Sequence, residues 1–196
     1  MKIIGLTGGI GMGKSTAAEI LRRMGLPVYY ADRVVHNLLR KNGGAVKPVA
    51  RAFPEALKRG AINRTVLGRI VFGDPVKLKE LERILHPLVR KTEKTFLQKA
   101  RRQKAPTAIL EIPLLFETGG QKRCDAVICV TAPRAVQKAR VLVRPGMTEA
   151  KFEAILKRQM SDRQKRAKAD YVIHTGKGYA DTRKQLRRVI DILLKG

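Results

Sequence analysis

Short apolar runs alternate with longer amphipathic stretches along this chain. Ile3-Ile4-Gly5-Leu6-Thr7 is apolar at successive positions and runs into glycines, the pattern of a strand buried on both faces. Similar runs at 27–30, 107–112, 126–131 and 171–174 predict four more strands. Helical periodicity covers 15–24, 33–40, 66–72, 76–102, 134–142, 149–164 and 180–194. Strands alternating with helices predict an α/β fold, a parallel sheet flanked by helices on both faces.

One interval is too long for a simple crossover. Between Tyr30 and Thr107 the pattern holds several helices and no strand, which predicts a helical insertion over about 40–105 beside the sheet. Leu78, Leu81, Leu85, Leu88 and Phe96 form a helical stripe there. Pro87 interrupts it, so a kink or two helices meeting at His86-Pro87 are expected.

Length and composition narrow the class. The 196 residues suit one domain, and a hydrophobic fraction of 44% is enough to fill a core. No apolar run approaches the ~18 residues that cross a bilayer. The opening Met1-Lys2-Ile3-Ile4-Gly5 imitates a signal peptide only briefly, since glycines break it and no cleavage site follows. Two cysteines, Cys124 and Cys129, cannot form a disulfide framework or a four-ligand zinc site, and read as strand-end packing around Ala126-Val127-Ile128. A cytoplasmic protein is expected. Ser15 and Ser161 lie in no nucleophile elbow, and His36, His86 and His174 make no zinc-binding pair.

The chemistry begins at Gly8-Gly9-Ile10-Gly11-Met12-Gly13-Lys14-Ser15-Thr16, which fits G-x-x-x-x-G-K-[ST] between a predicted strand and a predicted helix. Glycines let backbone N–H groups curl around phosphate oxygens, and the helix N-terminus adds a favourable field. Lys14 can reach the β- and γ-phosphates, and the Ser15 hydroxyl can ligate Mg²⁺. Asp32, just past the second strand, suits either a base taking a proton from an acceptor hydroxyl or an N-cap for the following helix. Glu111, at the end of the third strand, suits either Mg²⁺ or a structural hydrogen bond. Residues 134–168 hold 11 basic and three acidic residues. Arg140 and Arg144, one helical turn apart, are expected to share a face and clamp phosphates from a flap.

Taken together these residues resemble the dephospho-coenzyme A kinases. The resemblance rests on Leu6 to Thr16, Ala31-Asp32, Asn63-Arg64 with Leu67 to Phe72, and Leu85-His86-Pro87-Leu88-Val89. It continues through Pro113-Leu114-Leu115-Phe116-Glu117, Arg140 and Arg144, Arg158-Gln159 and Ala169-Asp170-Tyr171-Val172-Ile173, spanning about residues 2–176. It implies ATP-dependent phosphorylation of the ribose 3′-hydroxyl of dephospho-coenzyme A, the last step of coenzyme A synthesis, with Mg²⁺ accompanying ATP. It implies a P-loop core with a five-stranded parallel sheet (1–39, 106–135 and 169–196), a helical acceptor-binding insertion (40–105) and a small helical lid (136–168). Carried over, Gly11, Met12, Gly13, Lys14, Ser15 and Thr16 hold the triphosphate and Asp32 is the base. Arg140 and Arg144 belong to the lid, and His86, Phe116 and Glu117 border the acceptor. The chain departs from the family's pattern in three places: Tyr30-Ala31-Asp32 has one carboxylate where the family often has two, Met12 replaces a serine, and His174-Thr175-Gly176 replaces an asparagine–glycine near the expected adenine site.

Charge is what this reading absorbs least. Lys and Arg number 42 against 16 Asp and Glu, a net of +26, spread over several helices. A polyanionic substrate benefits from a positive cleft, but a few cations suffice for that. A polynucleotide 5′-kinase is the rival, and a non-catalytic nucleotide sensor a third class. The nine aromatics are scattered, with no stacking platform for single strands, so specific nucleic-acid binding is not expected while non-specific polyanion binding is.

Overall fold

A computed structural model describes residues 1–195. Along the chain run β1 (Lys2–Thr7), α1 (Lys14–Arg23), β2 (Val28–Tyr30), α2 (Ala31–Leu39), α3 (Val46–Ala52), β3 (Leu57–Lys58), β4 (Ala61–Ile62), α4 (Arg64–Phe72) and α5 (Pro75–Arg102). There follow β5 (Thr107–Glu111), β6 (Ala126–Thr131), α6 (Arg134–Leu142), α7 (Glu149–Arg158), α8 (Asp162–Lys168), β7 (Tyr171–His174) and α9 (Tyr179–Lys195). They form two units: residues 1–29 with 100–195, and Tyr30–Lys99.

The first unit is built on a five-stranded parallel sheet of order β2-β5-β1-β6-β7 flanked by helices. Pairing is in parallel register, with Ile4 opposite Ile109 and Leu6 opposite Ile128. The central strands are apolar on both faces because both are covered: every residue of β5 and β6 is buried. Ala17, Ala18, Ile20 and Leu21 are the buried side of α1, and Leu186, Val189, Ile190 and Leu193 that of α9. The chain leaves β1 towards β2 at one edge of the sheet and leaves the neighbouring β6 towards β7 at the other, so the loop after β1 opens at the switch point where open sheets bind ligands.

The second unit packs Leu39, Val49, Phe53, Ile62, Leu67, Val71 and Leu81 into a core of its own. Asn63 starts α4 by accepting from the N–H groups of Thr65 and Val66 at 3.0 and 3.1 Å. The unit begins at Tyr30 and ends at Lys99, ahead of the 40–105 boundaries read from sequence, so α2 belongs with it.

Three local expectations are corrected and one alternative is decided. At Pro87, where the sequence allows a kink or two helices meeting, α5 runs from Pro75 to Arg102 as one helix with the proline inside it, so two separate helices are excluded. Leu81 on one side of the proline and Leu88 on the other pack on the same core, which outweighs one missing N–H. The insertion also holds a two-stranded antiparallel hairpin, β3–β4, too short for an alternating pattern to register. Residues 149–164 form two helices. Ser161 caps α8 with a reciprocal Gln164 capping box, and Gln159 is extended before it. Arg144 lies beyond the end of α6, in a turn where its N–H donates to Val141, so it does not continue the helical face that carries Arg140.

Cys129 is buried inside β6, and burial, reinforced by Asp162, pushes its thiol up to about 12. Cys124, before β6, packs on Leu115 and Val127 and is only half buried. Iodoacetamide on the native protein at pH 8 is therefore expected to label Cys124 and spare Cys129 until denaturant is added; labelling of both at equal rates would contradict this. The raised thiol also gives a sign for stability. Folded Cys129 keeps its proton where the unfolded thiol has lost it, so this contribution is full below about pH 8.5 and falls as the pH climbs towards 12.

Candidate nucleotide-binding site

The loop from Gly8 to Gly13 links the C-terminal end of β1 to α1. Gly11 (φ 74°) and Gly13 (φ 85°) lie in the left-handed region, and contacts as well as dihedrals demand glycine. A Cβ on Gly11 would stand 2.6 Å from Val141 Cγ2, and one on Gly13 would stand 2.7 Å from Thr175 Oγ1. With Gly13 at its N-cap, α1 begins without any side-chain cap and without an acidic residue in its first turn. Its first N–H groups are thus left for an outside acceptor, at the positive end of the helix dipole. Ser15 and Thr16 are exposed in that turn.

Lys14 and Glu111 meet here. The Lys14 ammonium is ion-paired with the Glu111 carboxylate, and their side chains are only 11% and 5% exposed. Glu111 comes from the end of β5, the strand hydrogen-bonded beside β1. Such a pair satisfies two charges that would be expensive to bury singly.

The loop is held by side chains from three other segments. Gln137 of α6, 2% exposed, donates from Nε2 to the Ile10 carbonyl at 2.8 Å, and Gln159 accepts from the Ile10 N–H at 3.1 Å. Thr175, 3% exposed in the turn after β7, donates from Oγ1 to the Met12 carbonyl at 2.9 Å. Met12 points inward, and its sulfur accepts from the Ala132 N–H at 3.1 Å. Arg140, half buried, spends both terminal nitrogens on Thr175: Nη1 on Oγ1 at 2.9 Å and Nη2 on the carbonyl at 2.7 Å. Beside the loop opens a cavity of about 330 Å³ lined by Gly9, Met12, Gln137, Leu156, Gln159, Met160 and Asp162 among others.

The segment read as a lid is anchored to this same unit. Arg134 pairs with Glu153 and Lys138 with Glu149, tying α7 to α6. Lys165 of α8 is fully buried, its ammonium on Glu117 at 2.8 Å and on the Pro113 carbonyl at 2.9 Å. Glu117 also accepts from the Met160 N–H at 3.0 Å. Phe116 is buried beside Leu115 and Val127. The structure thus places Phe116 in a core cluster and Glu117 in an ion pair. In the helical unit, Asp32 is an exposed residue in the first turn of α2, and His86 is exposed on α5. Because α2 starts at Ala31 with Tyr30 at its N-cap, the alternative of Asp32 as that cap is ruled out.

Lys14, Ser15, Thr16, Glu111 and Arg140 accordingly share one unit with the glycine loop, while Asp32 and His86 belong to the other. Gln137 and Thr175 escaped the sequence reading. A glutamine on an amphipathic helix carries no signal, and Thr175 stood only as a mismatch to a family pattern.

The family model for dephospho-CoA kinase matches residues 2–181. The chain belongs to the dephospho-CoA kinase family. Membership makes it a P-loop kinase. It is 50% identical over 196 residues to the dephospho-CoA kinase of Rhizobium meliloti, covering 100% of both chains. With the dephospho-CoA kinase of Paramagnetospirillum magneticum it shares 56% identity over 166 residues, 85% of this chain and 78% of that protein. Among solved structures, the dephospho-CoA kinase from Campylobacter jejuni superposes with a TM-score of 0.72 at 30% identity, over 99% of this chain and 98% of that one.

Two pairs of variants test the geometry. Thr175→Val removes a buried hydroxyl with two partners and should lower stability by about 1–3 kcal/mol and raise the KM for ATP, with Thr175→Ser restoring both. An unchanged melting temperature and KM in Thr175→Val would show that the hydroxyl holds nothing in place. Lys14→Met leaves Glu111 buried alone and should cost about 3–5 kcal/mol, whereas the double variant Lys14→Met/Glu111→Leu should recover most of it. Denaturant midpoints compare the two; equal losses would show that the pair is not what stabilises this end of the sheet.

Proposed function

We propose that the protein phosphorylates the ribose 3′-hydroxyl of dephospho-coenzyme A with ATP, giving coenzyme A and ADP as the final step of coenzyme A synthesis. The observation that carries the reading is the uncapped N-terminus of α1 behind Gly11 and Gly13, with Lys14 beside it, in a member of this family.

In this reading Gly11, Met12, Gly13, Lys14, Ser15 and Thr16 cradle the triphosphate through backbone N–H groups and the Lys14 ammonium. The donors near the loop fit Mg²⁺. The Ser15 hydroxyl and the Glu111 carboxylate are hard oxygens, and no group of three metal-binding His, Cys, Asp or Glu residues occurs among the described residues. Mg²⁺ is suited to such a site because it takes one or two protein oxygens and fills its sphere with phosphate and water. When bound it neutralises charge on the β- and γ-phosphates.

Asp32 takes the proton from the acceptor hydroxyl, a role for which an exposed carboxylate in the first turn of α2 is suited, since it is open to an incoming substrate. Arg140 and Arg144 carry positive charge towards the transferring group, where guanidinium stabilises spreading negative charge. Arg140 must exchange Thr175 for a phosphate to do so. His86 borders the acceptor, and Phe116 and Glu117 shape its surroundings through the contacts of α8. No helix among the described residues is long and apolar enough to cross a membrane, and we place the enzyme in the cytoplasm. Polyanions bind it non-specifically at low salt through its +26 charge, an attraction that added salt screens away.

The decisive assay is ADP release from Mg-ATP with dephospho-coenzyme A, adenosine, AMP, shikimate and a 5′-hydroxyl oligonucleotide as separate acceptors. Turnover is expected with dephospho-coenzyme A alone. Turnover on the oligonucleotide alone would replace this reading with a polynucleotide kinase. Asp32→Asn should lower kcat by a factor of about 10²–10⁴ while leaving ATP affinity intact, and near-normal turnover would remove Asp32 from the role of base.

A further inference from the structure

A second cavity of about 330 Å³ opens between the C-terminal end of α1 and the start of α9, lined by Ile20, Arg23, Met24, Tyr179, Arg183 and Arg187. It shares no lining residue with the cavity beside the glycine loop. Tyr179, Arg183 and Arg187 recur every fourth residue and so lie along one face of α9. Arg23 comes from the last turn of α1, and Ile20, 1% exposed, supplies an apolar floor.

Counter-charge is scarce around it. Glu19 is the carboxylate bound to this cluster, and it divides itself between Arg22 at 2.8 Å and Arg23 at 3.1 Å. Asp181, in the first turn of α9, is engaged by Gln185. Among the described residues no carboxylate pairs with Arg183 or Arg187. Three guanidinium groups around one concavity repel each other, and an anion seated between them relieves that repulsion while using their N–H forks.

We propose that this cavity is a second anion site, which takes a small phosphate-bearing molecule: its phosphate or pyrophosphate group on Arg23, Arg183 and Arg187, and any apolar part on Ile20 and Met24. The cations converge on one hollow and do not follow a track, and one aromatic ring, not a series, stands beside them. That favours a compact phosphate over a nucleic-acid strand, which needs a groove with successive stacking rings. A bound anion would tie the far end of the glycine-loop helix to α9.

Isothermal titration with inorganic pyrophosphate, and separately with phenyl phosphate and a short oligonucleotide, tests this on three proteins: native, Arg183→Glu/Arg187→Glu, and Lys184→Glu/Arg188→Glu. Both double variants change exposed residues of α9 by the same charge, so folding and net charge are matched. The native protein is expected to bind one equivalent more than Arg183→Glu/Arg187→Glu, with affinity at this site falling at least about tenfold in that variant. The Lys184→Glu/Arg188→Glu protein should keep it. Binding of both probes marks an organic phosphate site, and pyrophosphate alone an inorganic one. Equal losses in both variants, no difference between native and Arg183→Glu/Arg187→Glu, or a lost equivalent seen only with a short oligonucleotide would each overturn the proposal. Because the difference is read between α9 variants, failure here leaves the reading of the glycine loop untouched.

Discussion

A loop that offers its own N–H groups to phosphate has few side chains left with which to hold itself. Between Gly8 and Gly13 only Ile10 and Met12 carry any, and the left-handed glycines that let the backbone curl also make it costly to order. The loop's position is therefore borrowed. Gln137 and Gln159 fix Ile10 from both sides, Thr175 fixes the Met12 carbonyl, and the Met12 sulfur accepts from Ala132 just past the end of β6. Each of these comes from a segment more than a hundred residues away in the chain. The core after residue 100 thus acts as a mould for a loop near the N-terminus.

Electrostatics impose a second requirement. The Lys14 ammonium lies in a half-enclosed place, and the Glu111 carboxylate beside it is its counter-charge. The same logic recurs where Lys165, fully buried, is matched by Glu117 and the Pro113 carbonyl. In a chain with 16 acidic residues against 42 basic ones, carboxylates are the scarce partners. Two of them, Glu111 and Glu117, are used on the half-enclosed Lys14 and the buried Lys165. Most of the remaining positive charge stays on exposed helix faces.

The sequence made the strands and the glycine loop readable, because a strand covered on both faces must be apolar at every position and the loop's glycines are stereochemically obligatory. Elsewhere local signals were incomplete. Pro87 left a kink or a helix boundary open because local stereochemistry disfavours it, and leucines on both sides shared one core and carried the helix through. Residues 149–164 looked like one helix because the apolar period does not record a break of two or three residues. The break is where Gln159 becomes extended and reaches Ile10. Phe116 and Glu117 stood out as a motif, but a motif does not say that the first packs in a core cluster and the second pairs with a buried lysine.

By itself the sequence determined the α/β class, the phosphate loop and its lysine, and the presence of a helical insertion. All of these follow from constraints local to a few neighbouring residues: period, φ and the charge of one side chain. Only the tertiary structure decided that Thr175 and Arg140 brace the loop, that Glu111 answers Lys14, that Asp32 lies within the first turn of α2 and not at its cap, and that three arginines from two helices ring one hollow. Such pairings depend on which distant segments the sheet order brings side by side. No residue carries that information in its own neighbourhood.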